Sequence, residues 1–110
     1  MKKIFLQIKF AKNKQCMAYI LDLSRSGMGM AAVSRLDQGL DIVIIPKTKL
    51  LPRLQAKVVY RFKLPRKTYT YRTGVRFINL NQKQQSCLDK FINKQQKEIK
   101  WKSKIHLEFR

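Results

Sequence analysis

Acidic residues are scarce in this chain: six Asp+Glu stand against 25 Lys+Arg, a formal net charge of +19 over 110 residues. None lies between Asp41 and Asp89, a span that holds eleven lysines and arginines. The few carboxylates are not paired in a way that suits general acid–base work. His106 is the only histidine, so no nucleophile has an imidazole base beside it, and there is no Gly-rich phosphate loop. With that histidine and two cysteines, Cys16 and Cys87, the soft donors are too few for a zinc site. The cysteines match no C-x-x-C spacing and sit in apolar patterns, so free buried thiols are expected, which fits a reducing compartment. Long apolar runs are missing too. Met1-Lys2-Lys3 has the look of a signal n-region, but Gln7 and Lys9 interrupt the apolar stretch after it, and nothing approaches the roughly 18 apolar residues of a membrane span. The expectation is a cytoplasmic, non-enzymatic protein with no metal, no cofactor and no transmembrane segment.

What is abundant is positive charge on a chain that can fold. A 45% apolar fraction is ordinary for a globular protein, so the charge does not imply disorder. One domain with one core is expected at this length. The field of such a chain attracts polyanions: nucleic acid, anionic lipid, an acidic protein face or a phosphorylated small ligand.

Period-two patterning runs through most of the chain. Ile4, Leu6, Ile8 and Phe10 mark a first strand, and the turn Ala11 to Gln15 leads to a second from Cys16 to Leu23. A third is expected over Met28 to Val33, with Gly29 leaving room for a neighbouring backbone or ligand. The β-branched run Ile42-Val43-Ile44-Ile45 reads as a strand buried on both faces. Leu54, Ala56, Val58, Tyr60 and Phe62 share one face of a fifth strand. Tyr69, Tyr71, Thr73, Val75 and Phe77 share one face of a sixth. Six short strands with frequent turns predict a mainly β fold, a small six-stranded antiparallel split barrel. From Asn81, a good N-cap, the period becomes helical: Cys87, Leu88, Phe91 and Ile92 fall on one face of a C-terminal α-helix expected from about Gln82 to Lys97. The division is then a barrel-and-helix domain over 1–98 and a basic extension over 99–110, either loose or a late strand.

The stretch Asp22-Leu23-Ser24-Arg25-Ser26-Gly27 has the spacing D-x-S-x-x-G at a strand end. It gathers an acceptor, a small donor/acceptor and a point of close approach, which suits a base edge better than bond-making chemistry. Asp22 and Ser24 can equally stabilise an Asx-type turn, with Gly27 supplying a positive φ.

A small barrel, that turn after its second strand, and Tyr71-Arg72-Thr73-Gly74-Val75-Arg76-Phe77-Ile78 leading into a helix together resemble the PilZ domain. This is the bacterial receptor module for cyclic di-GMP, and the resemblance spans about Ile4 to Ile92. It implies a nucleotide site in which Asp22 accepts from guanine N–H groups, Ser24 bonds a phosphate or base edge, and Gly27 lets the chain come close. Ligand-binding members also carry an R-x-x-x-R arm just before the first strand. Here the first arginine is Arg25, and Lys2 and Lys3 stand where that arm would end. Lysine offers a point charge and not arginine's planar fork. Three arrangements stay open. Lys2, Lys3 and the α-amino group bind the phosphates alone; Arg25, Arg72 or Arg76 reaches the pocket; or nucleotide binding is weakened or lost and the domain works through proteins.

The remaining residues have plainer readings. Met28 and Met30 are core-facing. Tyr60, Tyr69 and Tyr71 fill strand faces and cross-strand pairs, although interleaved bases would also let them stack nucleobases. Asp37 and Asp41 flank a turn, Trp101 covers a core edge and His106 is solvated. Two functions fit these features. One is a cyclic di-GMP receptor or adaptor relaying to a protein effector of motility, biofilm or pilus machinery. The other is a basic module that binds nucleic acid or an acidic protein without the nucleotide.

Overall fold

Alternation puts Leu6 and Ile8, Met28 and Met30, Ile42 and Ile44, and Leu54, Ala56 and Val58 on a single interior, each at most 4% exposed. The computed structural model describes residues 3–108, with side chains through residue 95. Six strands, β1 (Phe5–Phe10), β2 (Lys14–Leu23), β3 (Gly27–Ala32), β4 (Asp41–Pro46), β5 (Leu54–Lys63) and β6 (Tyr71–Ile78), precede one helix, α1 (Gln82–Glu108). They form a closed antiparallel barrel in the order β1-β2-β3-β6-β5-β4, with β4 returning to pair with β1. Closure leaves no open sheet edge, so every strand is paired on both sides.

The helix closes the barrel's end. Asn81 Oδ1 accepts from the Gln84 N–H at 2.8 Å and Gln84 Oε1 accepts from the Asn81 N–H at 2.9 Å, a reciprocal capping box. Gln84 Nε2 also donates to the Arg53 carbonyl at 2.8 Å, tying the first turn to the loop before β5. Leu88 and Phe91 then join the barrel core, at 1% and 7% exposure. Among the described residues no helix is long and apolar enough to cross a membrane.

The expected barrel and capped helix are both present, but several details differ. The helix continues to Glu108, past the expected end near Lys97. No glycine or proline occurs between Gln82 and Glu108, and its Lys, Gln and Glu content has good helix propensity, so nothing local stops it. Trp101 and His106 have side chains outside the described ones, and Lys2 lies outside the described residues. Within β4 only Ile42 and Ile44 are buried; Val43 and Ile45 are half-buried, because the barrel's outer face there has no covering layer. Cys16 and Cys87 are free but half-buried, and Cys16 packs against the core. The expected single face of β5 breaks after Val58: Tyr60 and Phe62 are 40% and 50% exposed.

Replacing Leu88 with Ala should cost about 2–5 kcal/mol through the cavity it leaves, and Asn81→Ala only about 1 kcal/mol through the lost cap. Urea denaturation of both variants checks this ordering. Equal losses would contradict a helix held mainly by its apolar contact with the barrel.

Candidate functional site

Two one-residue irregularities reset the strand faces. In the β2–β3 pair the register jumps between Ile20 and Asp22, and in the β5–β6 pair between Val58 and Tyr60. Leu21 and Val59 are the extra residues. A bulge of this kind shifts the alternation by one, so the residue after it points to the opposite side from the one its parity dictates. Asp22 and Tyr60 are thereby turned outward. This is why β5 loses its single face.

Both reset residues fall on the same row across the barrel. Asp22 of β2 is opposite Gly29 of β3, Gly29 is opposite Gly74 of β6, and Gly74 is opposite Tyr60 of β5. The outer face therefore has a floor of two glycines with a carboxylate on one flank and an aromatic ring on the other. Neither glycine is replaceable without moving a flank. A Cβ on Gly29 would lie 2.7 Å from both carboxylate oxygens of Asp22, and one on Gly74 would collide with the Cδ2–Cε2–Cζ side of the Tyr60 ring.

Asp22 lies across Gly29. Its Oδ1 accepts from the Gly29 N–H at 2.9 Å, and its Oδ2 accepts from Arg72 Nη2 at 2.9 Å. Each carboxylate oxygen has two acceptor directions, and the side chain is 61% exposed, so acceptor capacity remains toward solvent. Ser24 is spent more locally. Its hydroxyl accepts from the Gly27 N–H at 3.2 Å and contacts Ser26 Oγ at 3.3 Å, and its own N–H donates to the Gly27 carbonyl at 2.9 Å. This is the self-stabilised turn, one of its two expected roles. Gly27 does not take a left-handed φ, so that part of the turn reading is wrong. It is a glycine because β6 passes close by: a Cβ would run into the Val75 carbonyl, and the neighbouring Ser26 carbonyl accepts from the Phe77 N–H at 2.9 Å.

Asp22, Ser24 and Gly27 line one open groove of about 360 Å³ with Ser26, Gly29, Val59, Tyr60, Gly74 and Arg76. The three arginines named as candidates part company. Arg25 turns away and pairs with Asp89 of α1 at 2.9 Å. Arg72 reaches Asp22, and Arg76 lines the groove. Lys3 stands with its ammonium 4.7 Å from the centre of the Tyr19 ring, held there by a cation–π contact. Tyr19 and Asp22 oppose Ala31 and Gly29, so Tyr19 is the next outward position along β2. Phe5 and Tyr69 pack on Tyr19 with centroids 6.0 and 5.1 Å away, and Arg66 donates to its hydroxyl. Sequence reading misses Tyr60 as a wall and Gly74 as the floor beneath it. A glycine in β6 facing an aromatic in β5 is the available signal, but the bulge at Val59 hides their register.

The PilZ domain family profile matches residues 3–94, and the chain belongs to that family. No curated protein matches it. Among solved structures it resembles the PilZ domain with c-di-GMP of YcgR from Escherichia coli. The TM-score is 0.73 at 22% identity, over 93% of this chain and 88% of that one. It also resembles YcgR in complex with c-di-GMP from the same organism, with a TM-score of 0.69 at 24% identity. That match covers 93% of this chain and 45% of the other. The barrel is thus a PilZ fold.

Gly27→Ala should destabilise the protein by about 1–3 kcal/mol, since the obstruction is backbone and cannot swing aside. Ser24→Ala, which loses only exposed hydrogen bonds, should cost about 1 kcal/mol or less. Chemical denaturation of the two variants compares them. A Gly27→Ala protein as stable as the parent would show that β6 does not constrain this turn.

Proposed function

We propose that this protein is a cytoplasmic, non-enzymatic receptor or adaptor for cyclic di-GMP, relaying the messenger's level to a protein effector of motility, biofilm or pilus machinery. The supporting observation is the outward carboxylate of Asp22, standing over the Gly29–Gly74 floor in a chain of the PilZ family. Guanine offers paired N–H donors on one edge, and a carboxylate with free acceptor directions is their natural partner. The two glycines let the Asp22 carboxylate and the Tyr60 ring lie down on the sheet, so a flat base would meet these two groups together. Ser24 holds the turn that positions Gly27, and acts on the ligand through that geometry.

Calorimetry with cyclic di-GMP and cyclic di-AMP at moderate salt tests this reading. Heat is expected with the guanine ligand and not with the adenine one, because a site built to accept those N–H groups rejects a base that lacks them. Asp22→Asn keeps the acceptor for Gly29 and puts a donor toward the base, so affinity should fall about tenfold or more. Absence of heat with tens of micromolar protein, or an Asp22→Asn protein that binds like the parent, rejects the ligand role.

A second reading has its own observation. The Tyr60 and Phe62 rings, both exposed, lie within 13° of parallel with centroids 6.0 Å apart on a chain of net charge +19. Aromatic faces on a basic surface suit single-stranded nucleic acid. This predicts micromolar binding of generic oligonucleotides by fluorescence anisotropy, with affinity falling steeply with salt. Affinity unchanged between about 50 and about 200 mM salt eliminates it.

A further inference from the structure

We infer that Tyr60 and Arg76 form a second wall of the nucleotide groove, opposite Asp22: the Tyr60 ring stacks a base and the Arg76 guanidinium holds a phosphate. This rests on the cyclic di-GMP reading and adds to it the residues on the far side of the glycine floor.

The ring and the carboxylate are placed to act on one base. Tyr60 packs against Gly74, where a Cβ would collide with one side of the ring, while Asp22 lies over Gly29 and bonds its N–H. Gly29 and Gly74 are partners on adjacent strands, so ring and carboxylate stand over positions about one strand spacing, ~4.8 Å, apart. A base resting on the free face of Tyr60 presents its edge to Asp22. Stacking and edge recognition are then satisfied together by side chains from β5 and β2. Phe62, parallel to Tyr60 within 13°, holds the ring's orientation from the next outward position on β5.

Arg76 supplies the charge. It pairs in register with Gly27 of β3 and Lys57 of β5, one outward row from the Gly29–Gly74 row. It is exposed and lines the groove. Among the described residues the other candidate arginines are already committed, Arg25 to Asp89 and Arg72 to Asp22, each at 2.9 Å. Lys57, its neighbour, is paired with Asp41 at 3.4 Å. Arg76 has no such partner among the described residues, so its planar fork is available to a phosphate. The sugar–phosphate ring of a dinucleotide whose base lies on Tyr60 extends over this row.

The test is isothermal titration of the full chain with cyclic di-GMP at two salt concentrations. Tyr60→Leu removes the stacking face and should weaken binding about tenfold. Tyr60→Phe keeps that face and should stay within about twofold of the parent. Arg76→Gln should weaken binding about tenfold and flatten its salt dependence, which a merely structural role would not do. Lys12→Gln, which removes one positive charge from the β1–β2 turn, is the control for net charge and should bind as the parent does. If the parent binds and Asp22→Asn does not, yet Tyr60→Leu and Arg76→Gln bind normally, the second wall is refuted and the receptor reading stands. If the parent itself does not bind, both are refuted.

Discussion

Two extra residues in the sheet, Leu21 in β2 and Val59 in β5, govern what this barrel presents to solvent. Each resets the alternation of its strand by one. Without the first, Asp22 would point into an apolar core, where an unpaired carboxylate is costly. Without the second, Tyr60 and Phe62 would compete for interior space that Val58, Val75 and Leu54 already fill. The bulges put an acid and an aromatic on the same outer row, and the two glycines between them give the carboxylate and the ring room to lie down on the sheet. Everything proposed about function depends on this row.

The row is also carried almost entirely by regular structure. Its walls stand on strands, and only the Ser24–Gly27 turn is a loop. That turn is fastened to β6 by the Phe77 N–H to Ser26 carbonyl bond and to α1 by the Arg25–Asp89 ion pair. The ion pair is exposed on both sides and contributes little stability by itself. The backbone bond and the close packing of Gly27 on Val75 set the geometry. Asp22 is held in one orientation by Gly29 and Arg72, so the base recognition proposed for it would require little ordering.

Much of this is legible in the sequence. Leu6 with Ile8 and Ile42 with Ile44 announce core-facing strands by period alone, and Asn81 announces the helix start. The D-x-S-x-x-G spacing identifies three residues that do share one groove. The bulges are not legible, because an extra Leu or Val inside an apolar run looks like its neighbours. Their consequence is an error of face: period alone assigns Tyr60 with Val58 to the interior. Gly27 shows a different limit. Its need for close approach is readable, but the approaching group is the Val75 carbonyl of β6, too distant along the chain for local pattern to reveal. The helix end is misplaced because weak alternation near Ile105 and Leu107 suggests a change of structure, while no residue there breaks a helix.

The charge stands apart from the fold. Its pairs among the described residues are surface pairs, and they use acids that are few. Most lysines and arginines among the described residues are outside these pairs, and their field draws anions toward the surface before any specific contact forms. In the proposed function, selectivity comes from the row itself, from a carboxylate that accepts and a ring that stacks.

The most direct test is a map of backbone amide NMR shifts as cyclic di-GMP is added to the full chain. The largest changes should fall on Asp22, Gly29, Gly74 and Tyr60, four residues from four strands that meet only on this row. Shifts confined to Lys3 and Tyr19, or to the helix, would contradict the account by placing the ligand elsewhere on the barrel.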